Sequence, residues 1–288
     1  DGEVIPGTVN VTVVDDVPDV DIVDGPSTVA EGATLNGDWT LTEGADDVGS
    51  ITVTVAGQAA QTVTLPGGAA AVFTLAEGTL TVNAGGTWSF VANTNLDSTP
   101  VPAVSFTVAV TDGDGDPDSD SFTITVTDGA DAEASGSANL VVEESDLNGT
   151  GSTPSGNDES DSDTGLSFTA GSDAISLSFA AGQAPTIGGL DNAASISWVL
   201  DAGDASGRTL LGQIGGSTVI TLTLSGQVTG AAGATISPTV TAVLSDNFPH
   251  ENAPNAGSVT VTGLVVNATD TDGEVIPGTV NVTVVDDV

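Results

Sequence analysis

The sequence predicts an all-β chain of two tandem antiparallel β-sandwich domains arranged end to end. Three observations predict it. Apolar residues recur with a period of two, not 3.6, which is the signature of strands with one buried face. Gly, Asn, Asp and Pro interrupt these runs at a spacing of roughly ten residues, as in sandwiches. Finally, the segment DGEVIPGTVNVTVVDDV occupies residues 1–17 and recurs unchanged at 272–288, which marks the chain as a slice of a longer tandem array.

Taken in order, Thr8-Val9-Asn10-Val11-Thr12-Val13 is the first alternating run. Residues 1–17 are therefore expected to be the terminal strand of a preceding repeat, or a strand lent to a neighbour. Ser50-Ile51-Thr52-Val53-Thr54-Val55 and Ser121-Phe122-Thr123-Ile124-Thr125-Val126 follow, inside a first sandwich expected over 18–128. Val219-Ile220-Thr221-Leu222-Thr223-Leu224 belongs to a second, longer sandwich expected over 129–288. The segments 108–129 and 266–287 align with each other as strand, acidic turn, strand and acidic end. They read as the last hairpins of two related domains. Residues 148–165, NGTGSTPSGNDESDSDTG, read as a long loop. No amphipathic helix is expected. Trp39, Trp88 and Trp198 are expected to pack in the cores.

Charge narrows the function. There are 40 acidic residues against one Arg and no Lys, for a formal net charge of -39. Self-repulsion on that scale opposes a compact state unless cations neutralise it. Carboxylate oxygens suit hard ions, so several Ca²⁺ ions are the expected cofactors. Nucleic acid and membrane are not expected as partners, because both demand positive charge. No small-molecule substrate and no enzyme activity are expected either. The chain has no Cys, no Lys and one His, and it lacks a G-x-S-x-G elbow. Without Cys, disulfides do not staple the fold.

Several stretches resemble a known family. GTLTVNAGGTWSFVANTN at 78–95 and FTVAVTDGDGDPDSDSFTITVTDG at 106–129 are similar to the Ig-like or cadherin-like repeats of giant bacterial surface adhesins. VTVVDDVP at 11–18, VTVVDDV at 282–288 and LVVEESDLNGTGSTPSG at 140–156 resemble the junctions and openings of such repeats. The resemblance implies an extender module of an RTX-type large adhesion protein, exported by type I secretion to the bacterial cell surface. There it would project a distal binding region for attachment or biofilm formation. Its partners would be calcium ions and neighbouring repeats of the same chain. The glycine-rich nonapeptide repeats of an RTX secretion region are absent from this sequence. A calcium-dependent module that binds sugar, ice or protein is the alternative.

The candidate metal ligands fall into clusters. Asp112, Asp114, Asp116 and Asp118 alternate through one turn. Pro117 stands where an EF-hand loop needs Gly, and Thr123 where it needs Glu, so a hairpin turn with a Ca²⁺ site is expected instead. Asp270, Asp272 and Glu274 form the equivalent turn. Asp15, Asp16, Asp19 and Asp21 lie at the first junction, and Asp128, Asp131 and Glu133 at the second. Glu31 and the pair Glu143/Glu144 follow a short way into their domains. His250 is open to three roles: pairing with Glu251, capping a turn or contacting a metal. Arg208 is expected to pair with a carboxylate.

Overall fold

The computed structural model describes residues 2–12, 16–97, 100–147, 159–191, 194–251 and 257–286. The chain splits into two compact units: unit 1 is Asp1–Asn93 with Val101–Thr127, and unit 2 is Thr94–Pro100 with Asp128–Val288. Among the described residues there is no α-helix, and the one helical element is a 3-10 turn at Glu144–Asp146. No helix is long and apolar enough to cross a membrane.

Unit 1 contains β1 (Asp19–Ile22), β2 (Thr28–Ala30), β3 (Thr34–Thr42), β4 (Ser50–Val55), β5 (Gln61–Thr64), β6 (Ala71–Thr74), β7 (Gly78–Val82), β8 (Thr87–Ala92), β9 (Ala103–Thr111) and β10 (Pro117–Thr127). They form two five-stranded sheets, β1-β3-β8-β7-β6 and β2-β10-β9-β4-β5. Alternation decides which side chains meet: Val104, Phe106, Val108 and Val110 of β9 are buried while their odd-numbered neighbours are not. Trp88 packs its indole 5.3 Å from the ring of Phe106 and 5.2 Å from that of Phe122. Gly37 makes this possible, since a Cβ there would lie 2.4 Å from the Trp88 ring.

Unit 2 contains β11 (Glu133–Ser135), β12 (Ser137–Glu143), β13 (Ser160–Asp163), β14 (Ser167–Thr169), β15 (Ile175–Phe179), β16 (Thr186–Gly188), β17 (Ile196–Leu200), β18 (Thr209–Ile214), β19 (Ser217–Gly226), β20 (Thr229–Gly230), β21 (Thr235–Ile236), β22 (Pro238–Leu244), β23 (Ser258–Thr269) and β24 (Val275–Val285). Its larger sheets run β12-β24-β23-β15-β20 and β13-β22-β19-β18-β17. One core joins them, with Leu140, Phe168, Phe179, Leu210, Ile220 and Val282 all at most 2% exposed. Both units are antiparallel sandwiches of immunoglobulin-like type, apart from one parallel pairing in each. In unit 1, β2 runs parallel to β10. In unit 2, β12 runs parallel to β24 over seven residue pairs, Ser137↔Thr279 to Glu143↔Val285.

A recurring device closes the open edges. Asp118 and Asp120 accept the backbone N–H groups of Val20 (2.7 Å) and Ile22 (2.8 Å) on β1. In unit 2, Asp161 and Asp163 accept those of Val141 (2.8 Å) and Asn139 (2.6 Å) on β12. Both pairs belong to an Asp-Ser-Asp triplet on a strand, so period-two geometry aims both carboxylates at one neighbour. The carboxylates take the place of a missing strand and satisfy edge N–H groups that would otherwise recruit another chain.

Three expectations are corrected. The run at 8–13 is not a strand where it is described: Val4, Ile5, Val9 and Val11 are 79–88% exposed. The same sequence at 275–285 is β24, because there β12 and β23 flank it on both sides. A strand is a property of the sheet as much as of the segment. The loop expected at 148–165 contains β13, which pairs with β22, while 148–158 lie outside the described residues. Arg208 forms no ion pair among the described residues; its backbone N–H instead donates to Asp204 Oδ2 at 3.0 Å.

Candidate metal centres

Candidate ligands gather at three places in the two units, each built by local structure. In unit 1, β9 ends at Thr111 and the chain turns through Asp112-Gly-Asp114-Gly-Asp116 before β10. Asp112 Oδ1 accepts the N–H groups of Gly115 (3.0 Å) and Asp116 (2.8 Å), and its own N–H donates to Asp116 O at 3.1 Å. Gly115 has φ 112°, a conformation that a side chain would strain. Burial works against the charge of Asp112, but the N–H groups of Asp116 and Gly115, together with Asp114, outweigh it and hold its pKa below the ordinary value. Its second oxygen, Oδ2, is buried and makes no hydrogen bond among the described residues. Ligand oxygens of Asp112, Asp114 and Asp116 lie within 4.8 Å of one another.

In unit 2, the equivalent turn joins β23 to β24. Asp270 Oδ1 accepts the Glu274 N–H at 2.8 Å, the Asp270 N–H donates to Glu274 O at 3.1 Å, and Gly273 has φ 90°. The two hairpins are thus the same turn, as their sequence alignment anticipates. Here more acids converge. Asp128 and Asp131 arrive from the opening segment of the unit, with ligand oxygens within 4.8 Å of each other and of Glu274. Asp131, burial, Asp270 and Asp128 together raise the pKa of Glu274. Asp173, on the loop before β15, is 4% exposed, and its Oδ1 is buried without a hydrogen-bond partner among the described residues. Burial and then the charges of Asp272, Asp270 and Asp128 push its pKa up to about 6. The loop that carries Asp173 is fastened to the opening segment: the Ser172 N–H donates to Ala130 O at 2.8 Å, and a Cβ on Gly171 would lie 1.6 Å from that oxygen.

The third group lies at the other end of β24. Glu144, on the 3-10 turn after β12, is 3% exposed and accepts the Phe248 N–H at 2.5 Å. His250 Nε2 is 3.2 Å from Glu144 Oε1. Asp286 follows β24 and completes a set whose ligand atoms lie within 4.8 Å of one another. Burial raises the pKa of Glu144, which the Phe248 N–H and His250 offset only in part.

Asp19 and Asp21 are on the exposed face of β1, and Glu133 is exposed on β11. Glu31 is buried in unit 1, where its N–H donates to Thr127 O at 3.0 Å. Asp16 is exposed beside Gly44, where a Cβ would lie 2.9 Å from its carboxylate. Asp15 lies outside the described residues. Asp118 is committed to the β1 edge, as described above. Glu143 closes β12 while Glu144 opens the 3-10 turn that follows, and of the two only Glu144 joins a group of candidate ligands among the described residues. Sequence reasoning missed Asp173, whose companions lie far away in the chain. Its one sequence signal is an acid placed just before an alternating run. His250 pairs with Glu144, not with Glu251 as one expectation had it. Trp39, Trp88 and Trp198 are 2–7% exposed and present no aromatic face for sugar stacking.

No protein-family model matches the chain, and no curated protein matches it. Among solved structures, the chain is similar to fibronectin(III)-like modules of Clostridium thermocellum CbhA, with 10% identity, a TM-score of 0.26, and coverage of 94% of this chain and 95% of that one. Mouse cadherin-23 EC22-24 matches with 16% identity, a TM-score of 0.25, and coverage of 95% and 99%. Protocadherin gammaB7 EC3-6 matches with 13% identity and a TM-score of 0.26, covering 94% of this chain and 51% of that one. These likenesses are too loose to bear on function, and the fold class rests on the chain's own sheets.

Proposed function

We propose that the chain is a calcium-stabilised extender module of a long extracellular bacterial adhesin, a spacer that holds a distal binding region away from the cell. The observation that carries this reading is Asp173. A carboxylate oxygen is buried without a hydrogen bond among the described residues, and the charges of Asp272, Asp270 and Asp128 are near enough to raise its pKa. A chain with no Lys, one Arg and one His has almost no cationic side chain to meet that charge. The donor set is all oxygen and drawn from three separate segments, which suits Ca²⁺ with its six to eight oxygen ligands at about 2.3–2.6 Å. Asp128 and Asp173, whose ligand oxygens lie within 4.8 Å of each other, would hold the ion, with Asp131 and Glu274 gathered at Asp128 beside them and Asp270 and Asp272 adding negative charge nearby. Asp112, Asp114 and Asp116 would hold another in unit 1, where Asp112 Oδ2 is the buried donor.

Such ions would convert repulsion between acids into a tie between the start, the middle and the end of unit 2. That suits a module whose work is to keep its shape. The unchanged repeat of residues 1–17 at 272–288 supports placement in a tandem array. Export to the bacterial surface follows from the same reading, and the module itself would perform no chemistry.

Calorimetric Ca²⁺ titration with parallel scattering tests the proposal. Saturable Ca²⁺ binding, weakened in Asp173→Asn, and a maximum dimension that becomes variable on chelation are expected. A chain that neither binds Ca²⁺ nor changes in melting or dimensions under chelator would overturn it.

A further inference from the structure

The group at Glu144, His250 and Asp286 differs in kind from the oxygen clusters. It includes the only His of the chain. That His is 6% exposed, and neither of its ring nitrogens makes a hydrogen bond among the described residues. Nε2 is nevertheless 3.2 Å from Glu144 Oε1. The ring is close to the carboxylate but not aligned with it, so the pair is not a satisfied hydrogen bond. The backbone fixes both partners. The His250 segment is held by a bridge to Leu190, by the Asp191 N–H to Pro249 O at 2.9 Å, and by the Glu251 N–H to Gly189 O at 2.8 Å. Glu144 is held by the Phe248 N–H, and Asp286 by its own N–H to Gly257 O at 3.1 Å. An imidazole with no hydrogen bond at either nitrogen among the described residues, beside a buried carboxylate and a half-buried one, describes a place built for something that accepts the ring's one free lone pair.

We infer that Glu144, His250 and Asp286 form a site for a divalent transition cation of the Zn²⁺ class, distinct from the calcium sites. The nitrogen donor sets the class: imidazole suits zinc and its neighbours, whereas Ca²⁺ takes oxygen. The geometry agrees. Zinc–nitrogen and zinc–oxygen bonds of about 2.0–2.2 Å in a tetrahedron place neighbouring donors roughly 3.3 Å apart, close to the 3.2 Å between Nε2 and Oε1. Three protein ligands leave one position for water. The site would pin the end of β12, the 248–251 segment and the end of β24 together.

The single His makes the test direct, because its imidazole protons give one pair of NMR signals. The full chain is held in saturating Ca²⁺, so that oxygen-only sites are filled, and is titrated with Zn²⁺. The expected result is that both signals move in slow exchange and saturate at one equivalent, and that Asp286→Asn weakens the midpoint by about tenfold or more. Signals unmoved by Zn²⁺ would reduce the contact to an ion pair and overturn the inference. So would signals that move with Ca²⁺ alone, or a midpoint indifferent to Asp286→Asn. The wild-type titration needs no variant, so a poorly folding substitution does not shield the idea.

Discussion

Asp161 Oδ2 accepts the backbone N–H of Val141 at 2.8 Å, binding the edge of one sheet of unit 2 to the edge of the other. In unit 1, Asp120 of β10 accepts the Ile22 N–H of the edge strand β1 at 2.8 Å. These bonds are charge-assisted and partly buried, and removing the acceptor strands an N–H. Asp161→Ala and Asp120→Ala are each expected to cost about 1–3 kcal/mol. The Asn variants, which keep an acceptor oxygen, should cost less. Urea unfolding checks this; losses within the scatter of surface substitutions would show the edges to be satisfied otherwise.

Chelation is expected to lower the melting temperature of both units. A site held at ~100 times its dissociation constant contributes about 2.7 kcal/mol if the unfolded chain does not bind. Asp112→Asn should remove the contribution in unit 1 and leave that in unit 2 intact. Differential scanning calorimetry with and without chelator separates the two transitions.

Asp173→Asn should act with opposite signs in the two conditions. Without an ion, Asp173 in the folded state titrates at about 6 against an ordinary 3.8. The folded chain therefore holds a proton that the unfolded chain has lost, and stability falls as pH rises from about 4 to 6. The shift amounts to at most about 3 kcal/mol at low salt, and screening lowers it. In chelator at pH 7, Asp173→Asn should stabilise unit 2 and flatten this pH dependence. In Ca²⁺ it should destabilise the unit, because the buried donor is gone. Melting curves across pH in both media decide it, and equal signs in the two media would count against a cation at Asp173.

Gly171→Ala is expected to damage fold and site together. The new Cβ would collide with Ala130 O, at 1.6 Å in the present geometry. Separating the 171–173 loop from the opening segment would cost about 1–3 kcal/mol or more and move Asp173 away from Asp128. Both the apo melting temperature and Ca²⁺ affinity should drop, whereas Gly57→Ala, where a Cβ meets nothing within 4 Å but φ is 77°, should affect stability alone.

Legibility in the sequence followed the physics of each element. Runs that alternate apolar and polar residues, such as 50–55 and 121–126, became β4 and part of β10, because burial of one face is local information. β13 was missed because Ser160–Asp163 has no apolar face; its side chains bond to backbone instead of packing. The run at 8–13 misled because alternation states what a strand could bury, not whether neighbours are present to bury it. Among sites, the turns at 112–116 and 270–274 were legible because their ligands are contiguous. Asp173 and the Glu144–His250–Asp286 group were not, since their members meet only through sheet topology.

The parallel pairing of β12 with β24 has a mechanical consequence. β12 lies near the start of unit 2 and β24 at its end, so a pull on the two ends slides one strand along the other. Seven residue pairs then share the load at once, where an antiparallel hairpin pulled open would release its bonds singly. In unit 1 the corresponding ladder between β2 and β10 has three pairs, Thr125↔Thr28 to Thr127↔Ala30. Resistance to forced unfolding is set by the unfolding barrier, not by equilibrium stability. Counted by ladder length alone, unit 1 would yield to a steady pull before unit 2, with the Asp118 and Asp120 bonds to β1 as its further shear contacts.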